Sequence, residues 1–237
     1  MQALIKQVAG KMLAVAVLSA LATPCGRTVR AEAPPAAHVT HVDLFSHGMT
    51  VGHGRIIRTP SLRSGKPCME VRLLMDVQVN VLLFKYAMKM DEVWVTDTSG
   101  LVAYKWDSVE NGQRKTITGE LASGIFRFEI MENGKERVWI TPRAAFDLAS
   151  ISQPEQKLAD GETKKVRVLD PCTCTISERI YRGTGTESLK VGTRQLACDT
   201  MTVDGPGTHL RRWLIADEFG PLIVREDGDQ ESGTYSR

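Results

Sequence analysis

The chain lacks the sequence signals from which an enzymatic activity or a nucleic-acid partner is usually inferred. It has no block of lysine and arginine, which a nucleic-acid-binding surface requires. It also contains no zinc-ligand spacing, no nucleophile-elbow motif and no glycine loop that leads into a helix pattern. We therefore expect a non-enzymatic protein with no cofactor, no metal and no nucleic-acid partner.

Long apolar runs are equally scarce, and the one candidate lies near the N-terminus. Met12–Ala22 follows the basic residues Lys6 and Lys11 and is shorter than the roughly 20 apolar residues of a membrane-spanning helix. A basic segment followed by a short apolar run is typical of a signal peptide. We predict an exported protein, periplasmic if its source is Gram-negative.

Two sites with small residues at the required spacing are candidates for signal cleavage. We take residues 1–33 as the signal peptide, with cleavage after Ala22 as the alternative. A lipid anchor on Cys25 and a retained membrane anchor stay open. Loss of residues 1–33 removes four basic residues and one acidic residue, so the net charge falls from +2 to −1. Residues 34–237 contain no glycine/serine-rich or proline-rich linker, and we predict a single β-rich domain.

Strict alternation of apolar and mostly polar residues is the strongest pattern in the chain. Successive side chains of a strand point to opposite faces, so this pattern predicts a long amphipathic strand over Met69–Val81. Leu74 is the one apolar residue on its polar face. After Val81 the alternation changes phase, which predicts a bulge or a tight bend near Leu82-Leu83.

Two Asn-Gly pairs, Asn111-Gly112 and Asn133-Gly134, predict two-residue hairpin loops, because both residues tolerate the positive φ of a type I′ turn. Such loops place Trp106 opposite Ile117, and Phe128 opposite Trp139. Thr141-Pro142 resembles a helix start and predicts a short helix through Arg143–Leu148. The fold class is then mainly β: a curved antiparallel sheet that forms a half-open barrel, with one or two short helices.

An even number of cysteines follows the predicted signal peptide, which in an exported chain suggests disulfides. A bridge from Cys172 or Cys174 to Cys198 would close a loop of about 25 residues and stabilise the fold by roughly 3 kcal/mol. The sequence leaves the pairing open. The disulfide candidates are Cys68, Cys172, Cys174 and Cys198.

Four histidines crowd into a short stretch of the chain. Because imidazole and thiolate bind copper, these histidines with Cys172 and Cys174 raise a weaker hypothesis of copper or redox handling. Histidines exposed on strands are the simpler interpretation. The four are His38, His41, His47 and His53.

Short strand and turn motifs along residues 40–235 resemble a family of exported bacterial proteins known as a domain of unknown function. The resemblance implies the half-open β-barrel of the outer-membrane lipoprotein carriers, and it implies no catalytic residue. The matching motifs are Gly48-Met49-Thr50-Val51-Gly52, Asp91-Glu92-Val93-Trp94 with Gly100-Leu101, Tyr181-Arg182-Gly183, Glu187-Ser188-Leu189, Gly192, Arg212-Trp213-Leu214 and Glu218-Phe219-Gly220-Pro221-Leu222.

A half-open barrel leaves a mouth at which small apolar ligands bind. We therefore expect a lipid-like or hydrophobic ligand on the apolar face of the sheet, although the same residues are also what a packed core would use. The alternative is a structural or assembly partner in the cell envelope that pairs through an apolar patch or an edge strand. The predicted ligand-binding residues are Val71, Leu73, Val77, Val79, Trp94, Phe126 and Phe128.

Overall fold

The structure, a computed structural model, describes residues 17–18, 37–46, 49–81, 84–149, 157–218, 220–230 and 233–236. The predicted signal peptide lies outside the described residues except for β1, a two-residue strand. The first nine strands are β1 (Val17–Leu18), β2 (His38–Ser46), β3 (Met49–Arg63), β4 (Lys66–Val81), β5 (Phe84–Asp97), β6 (Gly100–Glu110), β7 (Gln113–Ala122), β8 (Ile125–Glu132) and β9 (Lys135–Pro142). The others are β10 (Leu148–Ala149), β11 (Thr163–Asp170), β12 (Thr175–Val191), β13 (Arg194–Gly205), β14 (Thr208–Asp217), β15 (Gly220–Gln230) and β16 (Gly233–Ser236).

These strands form one curled sheet. β2 to β9 follow one another as an antiparallel meander, and β11 to β16 form a second one. β16 pairs with β2 through Ser236 and Phe45, which joins the two meanders. The short β10 pairs in parallel with β11. The sheet curls strongly into a half-barrel with β9 and β10 at its two ends, which confirms the predicted fold class.

The predicted hairpin loops are present with the backbone geometry that the Asn-Gly pairs favour. Asn111 and Gly112 have φ values of 48° and 83°, and Asn133 and Gly134 have φ values of 51° and 75°. Two further loops with positive φ at both residues were not predicted, because serine favours this conformation less than asparagine does. They are Ser64-Gly65 and Ser123-Gly124.

The cross-strand register agrees with the sequence. Trp106 pairs with Ile117, and Phe128 pairs with Trp139. The phase change after Val81 arises because the chain reverses there. Val81 pairs with Phe84 in the β4–β5 hairpin, and Leu82 and Leu83 between them lie outside the described residues.

The predicted helix is only a single 3-10 turn, Arg143–Ala145. Pro142 is extended and ends β9 instead of starting a helix, and Phe146 is extended as well. Only a few residues therefore remain for a helix before β10 begins at Leu148.

Among the described residues, apolar side chains collect in one main cluster and two smaller ones. The main cluster lies on the inner, concave face of the first meander and includes Val77, Phe126 and Phe128. A second cluster gathers around Tyr181 and Met201 in the second meander, and a third lies around Cys198 and Trp213. The candidate site is built on the main cluster.

Candidate functional site

The structure brings all seven predicted ligand-binding residues together on the inner face of the half-barrel. Their side chains are between 0 and 8 % exposed and belong to the main cluster. Within β4 they alternate with outward-facing residues, and across the β4–β5 hairpin Val71 lies directly opposite Trp94. The apolar face predicted from alternation is therefore a continuous surface that spans several strands.

Aromatic rings form the centre of this surface. Phe126 and Phe128 stack with their centroids 5.2 Å apart, and Trp139 stacks on the other side of Phe128 at 5.5 Å. Tyr104 meets Phe128 edge to face at 6.2 Å. Offset stacking and edge-to-face contacts are the favoured geometries for aromatic pairs.

A short segment that we call the strap, residues 143–149, leads from β9 to the pairing with β11 at the opposite end of the sheet. It inserts Phe146, which is buried against Phe126 with the ring centroids 5.8 Å apart. In the strap, β10 pairs with β11 for only two residues. The strap thus covers part of the inner face with one aromatic side chain and little sheet pairing.

Two arginines hold the strap in place. The Arg143 backbone N–H donates to the Gly124 carbonyl at 2.9 Å, and its Nη2 donates to the Ser99 carbonyl at 2.8 Å. Gly100 follows Ser99 with φ at 101°, and a Cβ there would lie 1.9 Å from Arg143 Nη2. Glycine is therefore required at that turn both for the conformation and for the space.

The second arginine, Arg167 on β11, holds the other half of the strap. Its Nη1 donates to the Ala144 carbonyl at 2.8 Å and its Nη2 donates to Asp147 Oδ1 at 2.8 Å. The hydrogen bond from Arg167 lowers the pKa of Asp147 from its ordinary value of 3.8. Both side chains are about half exposed, so we expect this ion pair to contribute little to global stability.

The turn between β11 and β12, which we call the plug (residues 171–174), covers a second part of the inner face. Cys172 and Cys174 pack against the main cluster. The Cys172 carbonyl accepts hydrogen bonds from Lys115 Nζ at 3.0 Å and from Arg137 Nη2 at 3.3 Å. These bonds tie the second meander to β7 and β9 of the first.

A buried carboxyl–phenol pair lies on the same inner face and was missed by the sequence analysis. The Tyr104 hydroxyl donates to Glu92 Oε1 at 3.0 Å, and both residues are buried. Burial and then the Glu92 charge raise the pKa of Tyr104. The sequence contained a signal for this pair, because the alternation of β5 places the acidic Glu92 on the same apolar face as Met88 and Met90.

The predicted disulfides are not formed, since all four of the candidate cysteines are free. The register explains why Cys172 or Cys174 cannot reach Cys198. Cys198 pairs with Glu187, a dozen residues along β12 from the plug. At about 3.3 Å per residue this is a path of tens of ångströms, whereas bridged Cα atoms are about 5.5 Å apart.

Cys172 is also a poor candidate for redox chemistry or copper binding. Burial, followed by the charges of Asp170 and Glu92, raises the pKa of its thiol to about 12. The thiolate is the reactive and metal-binding form, and it is disfavoured here. Burial also raises the pKa of Cys198.

Three of the four histidines are described, and no potential metal site of three or more ligands among the described residues contains two of them. His41 and His53 are exposed on the outer face, and His47 lies outside the described residues. His38 lies near Asp217 and Glu218, whose potential ligand atoms are within 4.8 Å of one another. Arg58 Nη1 already donates to Asp217 Oδ2 at 2.7 Å, so a buried cation occupies this carboxylate and would repel a metal ion.

A groove of about 560 Å³ lies on the outer face of the first meander. Its lining includes His41, His53 and Arg55 on one side, Leu74 in the middle and Asp107 on the other side. Asp107 is paired with Arg114, which lowers its pKa. Leu74, the exception in the alternation of β4, thus contributes to an outer groove and not to the apolar inner face.

Comparison of the chain with models of protein families, with curated proteins and with solved structures finds no match. Across the described residues, no helix has the length and apolar character needed to cross a membrane.

Proposed function

We propose that this protein is an exported, non-enzymatic binding protein that holds a lipid-like or hydrophobic ligand against the inner face of its half-barrel. In a Gram-negative source it would act in the periplasm. The proposal agrees with the resemblance of its motifs to the exported family with the fold of lipoprotein carriers. In this proposal Glu92 and Tyr104 serve the architecture of the inner face and not a reaction.

One observation carries the proposal: two short segments, the strap and the plug, cover part of a continuous apolar and aromatic face among the described residues. The strap covers Phe126 with Phe146, and the plug covers the face near Tyr104. Such segments are held by a few hydrogen bonds, so they can move with little loss of strand pairing. Their displacement would make the inner face accessible to an acyl chain.

A matched pair of leucines tests the proposal, because Leu73 faces inward and its neighbour Leu74 faces outward. We expect the full chain to bind N-phenyl-1-naphthylamine, a neutral apolar probe whose fluorescence rises on binding. Leu73→Ala should weaken probe binding about tenfold, since losing part of the contact with the leucine isopropyl group costs roughly 1–1.5 kcal/mol. Leu74→Ala should leave the affinity unchanged.

Thermal unfolding of both variants shows whether they remain folded at the temperature of the titration. Native mass spectrometry of the protein purified from its own host should in addition show a bound lipid. The proposal is wrong if the wild-type protein takes up no probe and carries no lipid. Equal probe affinities of the Leu73→Ala and Leu74→Ala variants would place binding elsewhere.

A second function, assembly with an envelope protein, is favoured by the end strand β9. Among the described strands β9 pairs with β8 alone, so its other edge is open. On the outer face Val138 is 45 % and Ile140 is 60 % exposed, next to Ile125 and Met131 of β8. An open edge beside exposed apolar side chains is the arrangement through which sheets add a strand from a partner.

This second function predicts a partner that co-purifies with the protein and depends on β9. Ile140→Lys should abolish its recovery, because a charge on the outer face next to the new strand opposes its apolar contacts. Leu62→Lys is the matched control, since Leu62 is exposed near the tip of a different hairpin. Quantitative mass spectrometry of the affinity-purified protein measures how much partner is recovered. Equal recovery with both variants would contradict the second function.

A further inference from the structure

The strap carries a cation, Arg143, that donates no hydrogen bond to a carboxylate among the described residues. Arg143 donates from Nη2 to the Ser99 carbonyl and from Nη1 to the Phe146 carbonyl at 2.7 Å, so both bonded acceptors are neutral. Its Nε is buried, and no described residue accepts a hydrogen bond from it. Arginines in such positions are usually paired with a carboxylate or a phosphate.

The two carboxylates near Arg143 are hydrogen-bonded to other residues and not to its guanidinium. Asp97 and Asp147 act on it only through space, and Arg167 opposes them. Asp97 is instead hydrogen-bonded to Ser99, and Asp147 is bonded to Arg167. Burial lowers the pKa of Arg143, as is expected of a cation that has lost water without gaining an anion.

The same turn places this cation beside the apolar interior. The Arg143 guanidinium lies over the Phe146 ring with Cζ 4.8 Å from the ring centroid. The Phe146 ring also packs on Phe126 of the inner face. A ligand that replaced the Phe146 side chain would therefore have its apolar part on Phe126 and its polar end at Arg143.

We propose that the ligand of the half-barrel is an acyl-chain anion, whose head group binds the Arg143 guanidinium and whose chain takes the position of the Phe146 ring. This inference rests on the proposed function and specifies its ligand class. The buried Nε–H, together with one Nη–H, offers the two parallel donors that a carboxylate or phosphate accepts. A free fatty acid and a phosphate-bearing lipid share this chemistry.

Three ligands with the same ten-carbon chain test the proposal at pH 8, where decanoate is ionised. Decanoate, decyl phosphate and the neutral decanol are titrated against N-phenyl-1-naphthylamine bound to the full chain. We expect at least one anion to displace the probe at roughly tenfold lower concentration than decanol does. Whichever anion displaces it more effectively identifies the head group as a carboxylate or a phosphate.

The variants assign this preference to one side chain. In Arg143→Met, the anion and decanol should displace the probe at about the same concentration, so their ratio falls to about one. Arg143→Lys should restore part of the preference for the anion. Arg127→Met is the matched control, since Arg127 is exposed on the outer face of β8, and it should keep the wild-type ratio. The ratio is the readout because a loosened strap would change the affinity of all three ligands alike.

Equal displacement by the anions and decanol in the wild-type protein would overturn the proposal. A preference that persists in Arg143→Met would overturn it as well. If neither the probe nor any ten-carbon ligand binds, the proposed function itself fails. The two failures are therefore distinguishable in the same titration.

Discussion

Replacement of Arg212 by methionine should destabilise the protein by about 3–5 kcal/mol, because it leaves the Glu226 carboxylate in the core without its cationic neighbour. Arg212 and Glu226 face each other across β14 and β15, and Arg212 Nε donates to Glu226 Oε2 at 2.5 Å. Their side chains are 0 and 2 % exposed. Water cannot solvate the Glu226 carboxylate at this depth once the Arg212 guanidinium is removed.

Urea unfolding measures the loss of stability as a lower midpoint at unchanged slope. In a chain of this size, a loss of 3–5 kcal/mol also lowers the Tm by roughly 6–20 °C. Removal of both charges in Arg212→Met/Glu226→Leu should recover most of the stability, since burying two apolar side chains replaces the desolvation of two ions.

The matched control is Arg114→Met, which breaks the partly exposed pair with Asp107. Its effect should stay below about 1 kcal/mol, because water screens exposed ion pairs and solvates the remaining carboxylate. A loss for Arg212→Met no larger than that for Arg114→Met would show that the buried pair does not stabilise the second meander.

The local features of this fold could be predicted from the sequence, because period-two alternation and Asn-Gly loops depend on residues close together in the chain. Met69–Val81 shows the alternation and Asn111-Gly112 marks a hairpin, and together such features fixed the register of Trp106 with Ile117. The pairing of β16 with β2, which joins the meanders, is a contact between residues far apart in the chain and leaves no local signal.

The strap was mistaken for a helix for a physical reason. Thr141-Pro142 satisfies the local preferences of a helix start, but pairing with β8 extends β9 through Pro142. Packing of Phe146 against Phe126 then favours an extended backbone over another helical turn. Tertiary contacts override such local preferences when the segment is short.

Seven residues of the inner apolar face were predicted, whereas its polar groups were not. Alternation identifies a face but does not show which residues from distant strands meet on it. Tyr104 and Glu92 lie on adjacent strands, and Arg143 reaches Ser99 from the strap.

The cysteines were assigned to disulfides because export and an even count favour bridges, but the long β12 keeps the plug far from Cys198.

The second large effect is expected at the aromatic centre of the inner face, where Phe128→Ala should cost about 3–5 kcal/mol. Phe128 is fully buried between Phe126 and Trp139. Truncation removes these ring contacts and leaves a cavity that the paired strands cannot close. Ile140→Ala, at an exposed position of the neighbouring strand, should cost well under 1 kcal/mol.

Gly119 makes this prediction more specific, because it pairs with Phe128 across β7 and β8. A Cβ at Gly119 would lie 2.4 Å from Phe128 Cε1, so Gly119→Ala alone should push the ring aside and cost about 1–3 kcal/mol. In Gly119→Ala/Phe128→Ala the added methyl group meets no ring and fills part of the cavity.

The double variant should therefore lose clearly less stability than the two single variants together, with a coupling of about 1 kcal/mol or more. Urea unfolding of all four proteins measures this coupling. Additive losses would mean that Gly119 and Phe128 do not touch, and the register of β7 with β8 would then be wrong. A small loss in Phe128→Ala alone would instead mean that the inner face is already open to solvent, in which case no displacement of the strap is needed before a ligand binds.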